Sequence, residues 1–143
     1  MSRRSELDDD IETVSEWLTS RGWKVEMHQD GGSYIRPHEG RVVIDTSESR
    51  SEMLNSILHE AGHVSIIEEP LPSQYPAGYS ANGGTPDKRS RSYRIDVLLE
   101  EVEAWRRGRI LAQTLGISLK GRSFIMGRNA AIKSYAEWAS KSR

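Results

Sequence analysis

The chain has 143 residues, a net charge of −1, 36% hydrophobic residues, no cysteine and four histidines. That length allows one domain, spanning 1–143, with a core of its own. The missing cysteine excludes a disulfide framework, a thiolate metal site and a cysteine nucleophile, so a transition-metal site must draw on His28, His38, His59, His63 and carboxylates.

In chain order, Ser5 to Arg21 has Leu7, Ile11, Val14 and Leu18 at helical spacing. Ser5 suits the N-cap, acids fill the first turn, and Gly22 stops the helix. Trp23, Val25 and Met27 then alternate with Lys24, Glu26 and His28, the pattern of a half-buried strand. Asp30-Gly31-Gly32 predicts a turn. A second strand is expected over Ser33–Arg36, ended by Pro37, and a third over Arg41–Asp45. Ser49-x-x-Glu52 has the form of a capping box and opens a helix carrying Leu54, Ile57, Leu58 and Ala61 on one face.

Residues 67–91 contain four of the five prolines and predict a long loop over or beside a cleft. A long helix from Ser92 or Tyr93 to Leu115 follows, with Ile95, Leu98, Leu99, Val102, Trp105 and Ile110 as its apolar positions. A last helix covers about Ser123–Ser140 and uses Phe124, Ile125, Ile132, Tyr135 and Trp138. The expected class is α+β: an N-terminal helix, a small three-stranded and mostly antiparallel sheet, a central helix and two C-terminal helices. No apolar run approaches the ~18 residues of a membrane helix. Met1-Ser2-Arg3-Arg4 leads into acid rather than a signal-peptide core, so a cytoplasmic protein is expected.

The chemistry lies in His59-Glu60-Ala61-Gly62-His63, an H-E-x-x-H motif inside the capped helix. Residues i and i+4 stand one above the other on a helix, so two imidazoles can hold one ion. Glu60 between them is placed to act as general base on a water. Gly62 costs about 1 kcal/mol in a helix interior relative to Ala, which predicts close approach by another backbone at that point. His28 on the polar face of its strand and His38 in a Pro-His-Glu-Gly turn read as surface residues.

Zinc needs a third protein ligand. The extended H-E-x-x-H-x-x-G-x-x-H form is excluded by Ile66 and Glu69. On the long helix, Glu101 shares a face with Val97, Leu98, Ala104, Trp105 and Gly108, whereas Glu100 shares one with Asp96, Glu103 and Arg107 that reads as solvated. A carboxylate on an apolar face is costly unless paired or bound to metal, which selects Glu101. Glu100 and Glu103 remain alternatives. Ala104 and Gly108 are small enough to let this helix approach the first at Gly62.

The run from Ile57 to His63, followed by Glu101-Val102-Glu103-Ala104-Trp105, resembles the small gluzincin metallopeptidases, and in particular the ImmA/IrrE type of bacteria and phages. The resemblance implies a minimal zincin-like fold and zinc held by His59, His63 and Glu101. It also implies that Glu60 is the base of peptide hydrolysis and that Arg41–Asp45 is an edge strand on which an extended peptide lies. That family usually carries Asn or Asp where this chain has Trp105. Gly84-Thr85-Pro86-Asp87 resembles the G-T-x-D segment of aspzincins, which makes Asp87 another candidate ligand. Tyr75, Tyr79, Tyr93 and Tyr135 are candidate oxyanion donors.

Three functions compete. One is a zinc metallopeptidase acting on a specific protein partner. Another is a zinc-stabilised binding or structural module without turnover. The third is a DNA-associated protease resembling the SprT type. Its motive is charge: residues 106–143 hold nine Lys or Arg against one acid, a net +8, leaving −9 for the rest of the −1 chain.

Overall fold

The first two helices begin where a side chain can satisfy their first free N–H groups. In the computed structural model, which describes residues 5–70, 91–119 and 121–141, α1 (Glu6–Ser20) is capped by Ser5. Its Oγ accepts the Asp8 N–H at 3.1 Å, and the Asp8 carboxylate returns the bond to the Ser5 N–H at 3.3 Å. α2 (Arg50–Glu68) opens in the same way on Ser49 and Glu52. Its last turn includes Ile67 and Glu68, which therefore belong to helix rather than loop. α3 (Arg91–Thr114) and α4 (Gly121–Ala139) complete the α+β layout. Most of the proline-rich 67–91 stretch lies outside the described residues, as do Tyr75, Tyr79 and Asp87.

Three short strands form one sheet: β1 (Lys24–His28), β2 (Tyr34–Arg36) and β3 (Arg41–Asp45), in the order β1-β3-β2. The sheet is mixed rather than mostly antiparallel. β1 and β3 run parallel from Lys24 opposite Arg41 to His28 opposite Asp45, and β2 runs antiparallel to β3. β3 is thus the central strand, and it cannot be the open edge expected of it. The reason is burial: Val42, Val43, Ile44 and Asp45 are all buried, a run that needs cover on both sides, whereas β1 is largely exposed and β2 is three residues long before Pro37.

Asp45 at the end of β3 fixes the turn between β1 and β2. Its Oδ1 accepts the N–H groups of Asp30 and Ser47, each at 2.9 Å, and the Ser47 hydroxyl at 2.6 Å. Its Oδ2 accepts the Gly32 N–H at 3.0 Å. These donors hold the carboxyl below its ordinary pKa, the Ser47 hydroxyl foremost.

The core gathers Ile11, Val14 and Leu18 of α1, Val42 and Ile44 of β3, and Leu54, Ile57, Leu58, Ala61 and Val64 of α2. α2 is buried nearly all round, as a central helix must be. It crosses α3 at very short range. A Cβ on Gly62 would stand 2.7 Å from the Ala104 carbonyl carbon, and one on Gly108 would stand 2.5 Å from the Leu58 carbonyl oxygen. Two glycines and an alanine let the backbones touch, and this contact brings the acids of α3 level with the histidines of α2. Among the described residues no helix is long and apolar enough to cross a membrane.

Candidate metal centre

His59 and His63 project one turn apart from α2, and Glu101 meets both from α3. The His59 Nε2 lies 2.7 Å from Glu101 Oε2, and the His63 Nε2 lies 2.9 Å from Glu101 Oε1. The ligand atoms these three residues offer all lie within 4.8 Å of one another. Glu101 and His63 are buried, at 1% and 2% exposure, and His59 is the most accessible of the three. Two imidazoles and one carboxylate converging in this way form a group that could hold a metal ion.

Charge explains why the cluster closes on itself. Burial lowers the pKa of both imidazoles, but the carboxylates against them more than offset it. Glu101 and Glu60 raise His59, and Glu100 and Glu101 raise His63. Burial likewise raises Glu101, and His59 and His63 reverse the sign and hold it ionised. A metal ion bound by imidazole nitrogen needs that nitrogen unprotonated, so binding at such a cluster depends on pH.

Glu60 is also buried, and its Oε1 lies 3.3 Å from His59 Nδ1. It sits beside the ligand cluster, against the His59 nitrogen that does not face Glu101. Trp105 stacks on the His59 ring with centroids 4.5 Å apart and planes inclined by 12°. Phe124 of α4 braces the indole edge-on at 5.3 Å. An aromatic plate therefore holds His59 where the resembled family carries a polar residue.

Two expectations fail here. Glu100 and Glu103 are not on a solvated side. Glu100 is 0% exposed, with its Oε2 3.6 Å from His63 Nδ1. Glu103 is buried and receives Arg107 Nε at 2.9 Å and Arg106 Nη1 at 3.1 Å, so it belongs to an ion-pair clamp rather than to the ligand group. Arg107 also donates to the carbonyls of Ser65 and Glu69, each at 2.9 Å, closing the C-terminal end of α2. The close approach at Gly62 sinks α3 so far that a wider arc of it is buried than one apolar face. The pairing of small residues at 62, 104 and 108 was the signal that could have placed Glu100 inside.

His28 and His38 lie away from this group. His28 is exposed beside Glu26, and His38 is in the 3-10 turn over Pro37–Glu39. Tyr93 and Tyr135 each pack edge-on against Trp138, with centroids 6.2 Å apart. Comparison of the chain with protein-family models, with curated proteins and with solved structures finds no match.

Proposed function

We infer that the chain is a zinc-dependent metallopeptidase of zincin-like architecture, acting on a peptide bond of a specific protein partner. One observation carries this reading: His59, His63 and Glu101 converge at contact distance with the Glu60 carboxylate beside them. Three protein donors leave room for a fourth position, which is the difference between a hydrolytic and a closed structural zinc site.

His59, His63 and Glu101 are the residues that would hold the ion. When bound, zinc supplies a water of lowered pKa and a positive charge that polarises a carbonyl. Glu60 takes a proton from the attacking water and returns it to the leaving amine. Trp105 keeps the His59 ring in one orientation and excludes solvent from that side. β2, an edge strand that packs against α2, is the strand along which an extended peptide pairs.

Two measurements test the reading. Purified protein is expected to carry about one equivalent of zinc, and His59→Ala to carry none. Glu60→Gln is expected to keep the zinc and lose cleavage of the partner; unchanged cleavage overturns the mechanism. A second reading, a zinc-stabilised binding module, is favoured by the burial of Glu100 and Glu101 at the α2–α3 contact, where a cation offsets two desolvated acids. It predicts a chain that unfolds on chelation and cuts no peptide.

A further inference from the structure

The N-terminal ends of α1, α2 and α4 border one cavity of about 450 Å³. Leu7, Leu54 and Leu119 form its apolar wall, and Glu6, Asp10 and Asn55 are on its polar side. A volume of that order suits a small ligand or a few residues of peptide. His59, His63 and Glu101 do not line it, and among the described residues neither does any lysine or arginine.

The acids of α1 divide by what answers their charge. Asp8 meets the Arg50 guanidinium at 2.9 Å and also closes the capping box. Glu6 and Asp10 both line the cavity, one turn apart at i and i+4, where two like charges repel. Neither has a cationic partner among the described residues. Asp10 is the fifth residue of α1, past the first turn in which the helix dipole favours an acid. Burial raises its pKa, and Glu6 and Asp9 raise it further.

Asn55 supplies an independent feature of the same cavity. It is only 8% exposed. Its Nδ2 donates to the Ser123 carbonyl at 3.3 Å and to the Ser123 Oγ at 3.2 Å. A carbonyl only accepts, so this contact fixes which end of the amide is nitrogen. The Oδ1 of Asn55 is left with no donor among the described residues, on a side chain that lines the cavity. A buried acceptor without a donor is unfavourable, and a ligand that donates to it recovers the loss.

The unanswered groups are thus two carboxylates and one amide oxygen, all acceptors, beside three leucines. They call for a ligand with several donors, a positive charge and an aliphatic stem. We propose that this cavity binds the arginine side chain of a partner chain, with the guanidinium donating to Asp10 and to Asn55 Oδ1 and the methylene stem lying on the leucines. A guanidinium carries five N–H donors in a planar fork suited to a carboxylate, and its stem covers apolar surface. No part of this site depends on a metal, so it goes beyond the peptidase reading and is tested apart from it.

The test is a proton–nitrogen NMR titration of the full chain with the probe acetyl-Ala-Arg-Ala-amide. Amide shifts are expected to concentrate at residues 6–10, 51–55 and 118–123. The same peptide with citrulline for arginine is close in shape but neutral, and it is expected to bind at least about 10-fold more weakly. Asp10→Asn is expected to weaken the arginine peptide by a similar factor and to leave the Tm at or above wild type, because it removes a repelled charge. Glu16→Gln removes an exposed acid of α1 outside the cavity and is expected to leave binding as in wild type.

No shift at about 10 mM arginine peptide, where even a millimolar Kd gives near-saturation, overturns the proposal. Equal binding of the citrulline peptide does so too, because the charge is then not read. An equal loss in Glu16→Gln also overturns it, since the effect is then a general attraction to an acidic helix. A lowered Tm in Asp10→Asn with unchanged peptide binding assigns that carboxylate to the fold alone. Binding of n-butylguanidinium without binding of the peptide overturns the partner chain as the source of the guanidinium.

Discussion

α1 and α3 are built on opposite rules. α1 buries Ile11, Val14 and Leu18 and leaves most of its acids toward solvent, as an amphipathic helix does. α3 buries Glu100, Glu101 and Glu103 and exposes Ile95, Leu99, Val102 and Ile110, each more than 40% accessible. Full burial of such aliphatic side chains stabilises by roughly 1.5–3 kcal/mol each. Turning α3 over would recover part of that four times. Burial alone therefore does not orient α3. The backbone contact of Gly62 with Ala104 and of Gly108 with Leu58, together with the carboxylate–imidazole cluster, holds it in place.

The largest expected effect breaks α3 away from α2. On an exposed helix Gly→Ala stabilises by about 1 kcal/mol. At Gly62 the added methyl meets the Ala104 backbone, which cannot rotate aside. Gly62→Ala is expected to cost on the order of 4 kcal/mol in urea denaturation, beyond ordinary overpacking, and to abolish zinc uptake. A neutral or stabilising result means that α3 does not lie on α2 in this way. In α1, Leu18→Ala removes a fully buried side chain and is expected to cost about 3 kcal/mol. It leaves zinc binding as in wild type, because α1 contributes nothing to the ligand group. A coupled loss of zinc there breaks the comparison.

The same contrast explains what could be read in advance. α1 was legible because its hydrophobic period and its burial agree. So was the H-E-x-x-H helix, where both histidines and Glu60 lie on one element at one spacing. Gly62 announced a backbone contact through its cost in a helix. Glu101 followed from the expense of an acid on an apolar face. Glu100 and Glu103 did not follow, because how deep a helix sinks is set by its partner and not by its own period. The central place of β3 was equally hidden: strand order is a long-range outcome, and local alternation says nothing of which strand lies between two others.

A buried acid can also be served by donors of the protein itself, and Asp45 is that case. Its folded pKa is depressed, so its contribution to stability is present above the ordinary carboxylate pKa of about 3.9 and is lost as pH falls through the folded value. Asp45→Asn removes the charge that four donors share. Thermal melts are expected to place the variant below wild type at pH 7, with the gap closing below about pH 4. Parallel curves across that range mean that the charge of Asp45 carries none of the turn's stability. Asp45 lies outside the candidate metal group, so adding zinc is expected to leave this gap unchanged.

The smallest effect is expected on the outer face of α3. Leu99 is 45% accessible, and Leu99→Gln is expected to change stability by no more than about 0.5 kcal/mol in denaturant titration. Ile95, Leu99 and Val102 nevertheless form a stripe at helical spacing, and an apolar stripe open to water favours anything that covers it. The two cases differ in their dependence on concentration. A stripe that stays in water responds to Leu99→Gln by the same small amount at every protein concentration. A stripe that pairs with a second copy gives a larger loss that grows with protein concentration, since association stabilises by mass action. The first outcome leaves the close backbone contact and the buried acids as the reason α3 faces as it does. The second makes the outer face a core of its own, and α3 is then amphipathic on both sides rather than inverted.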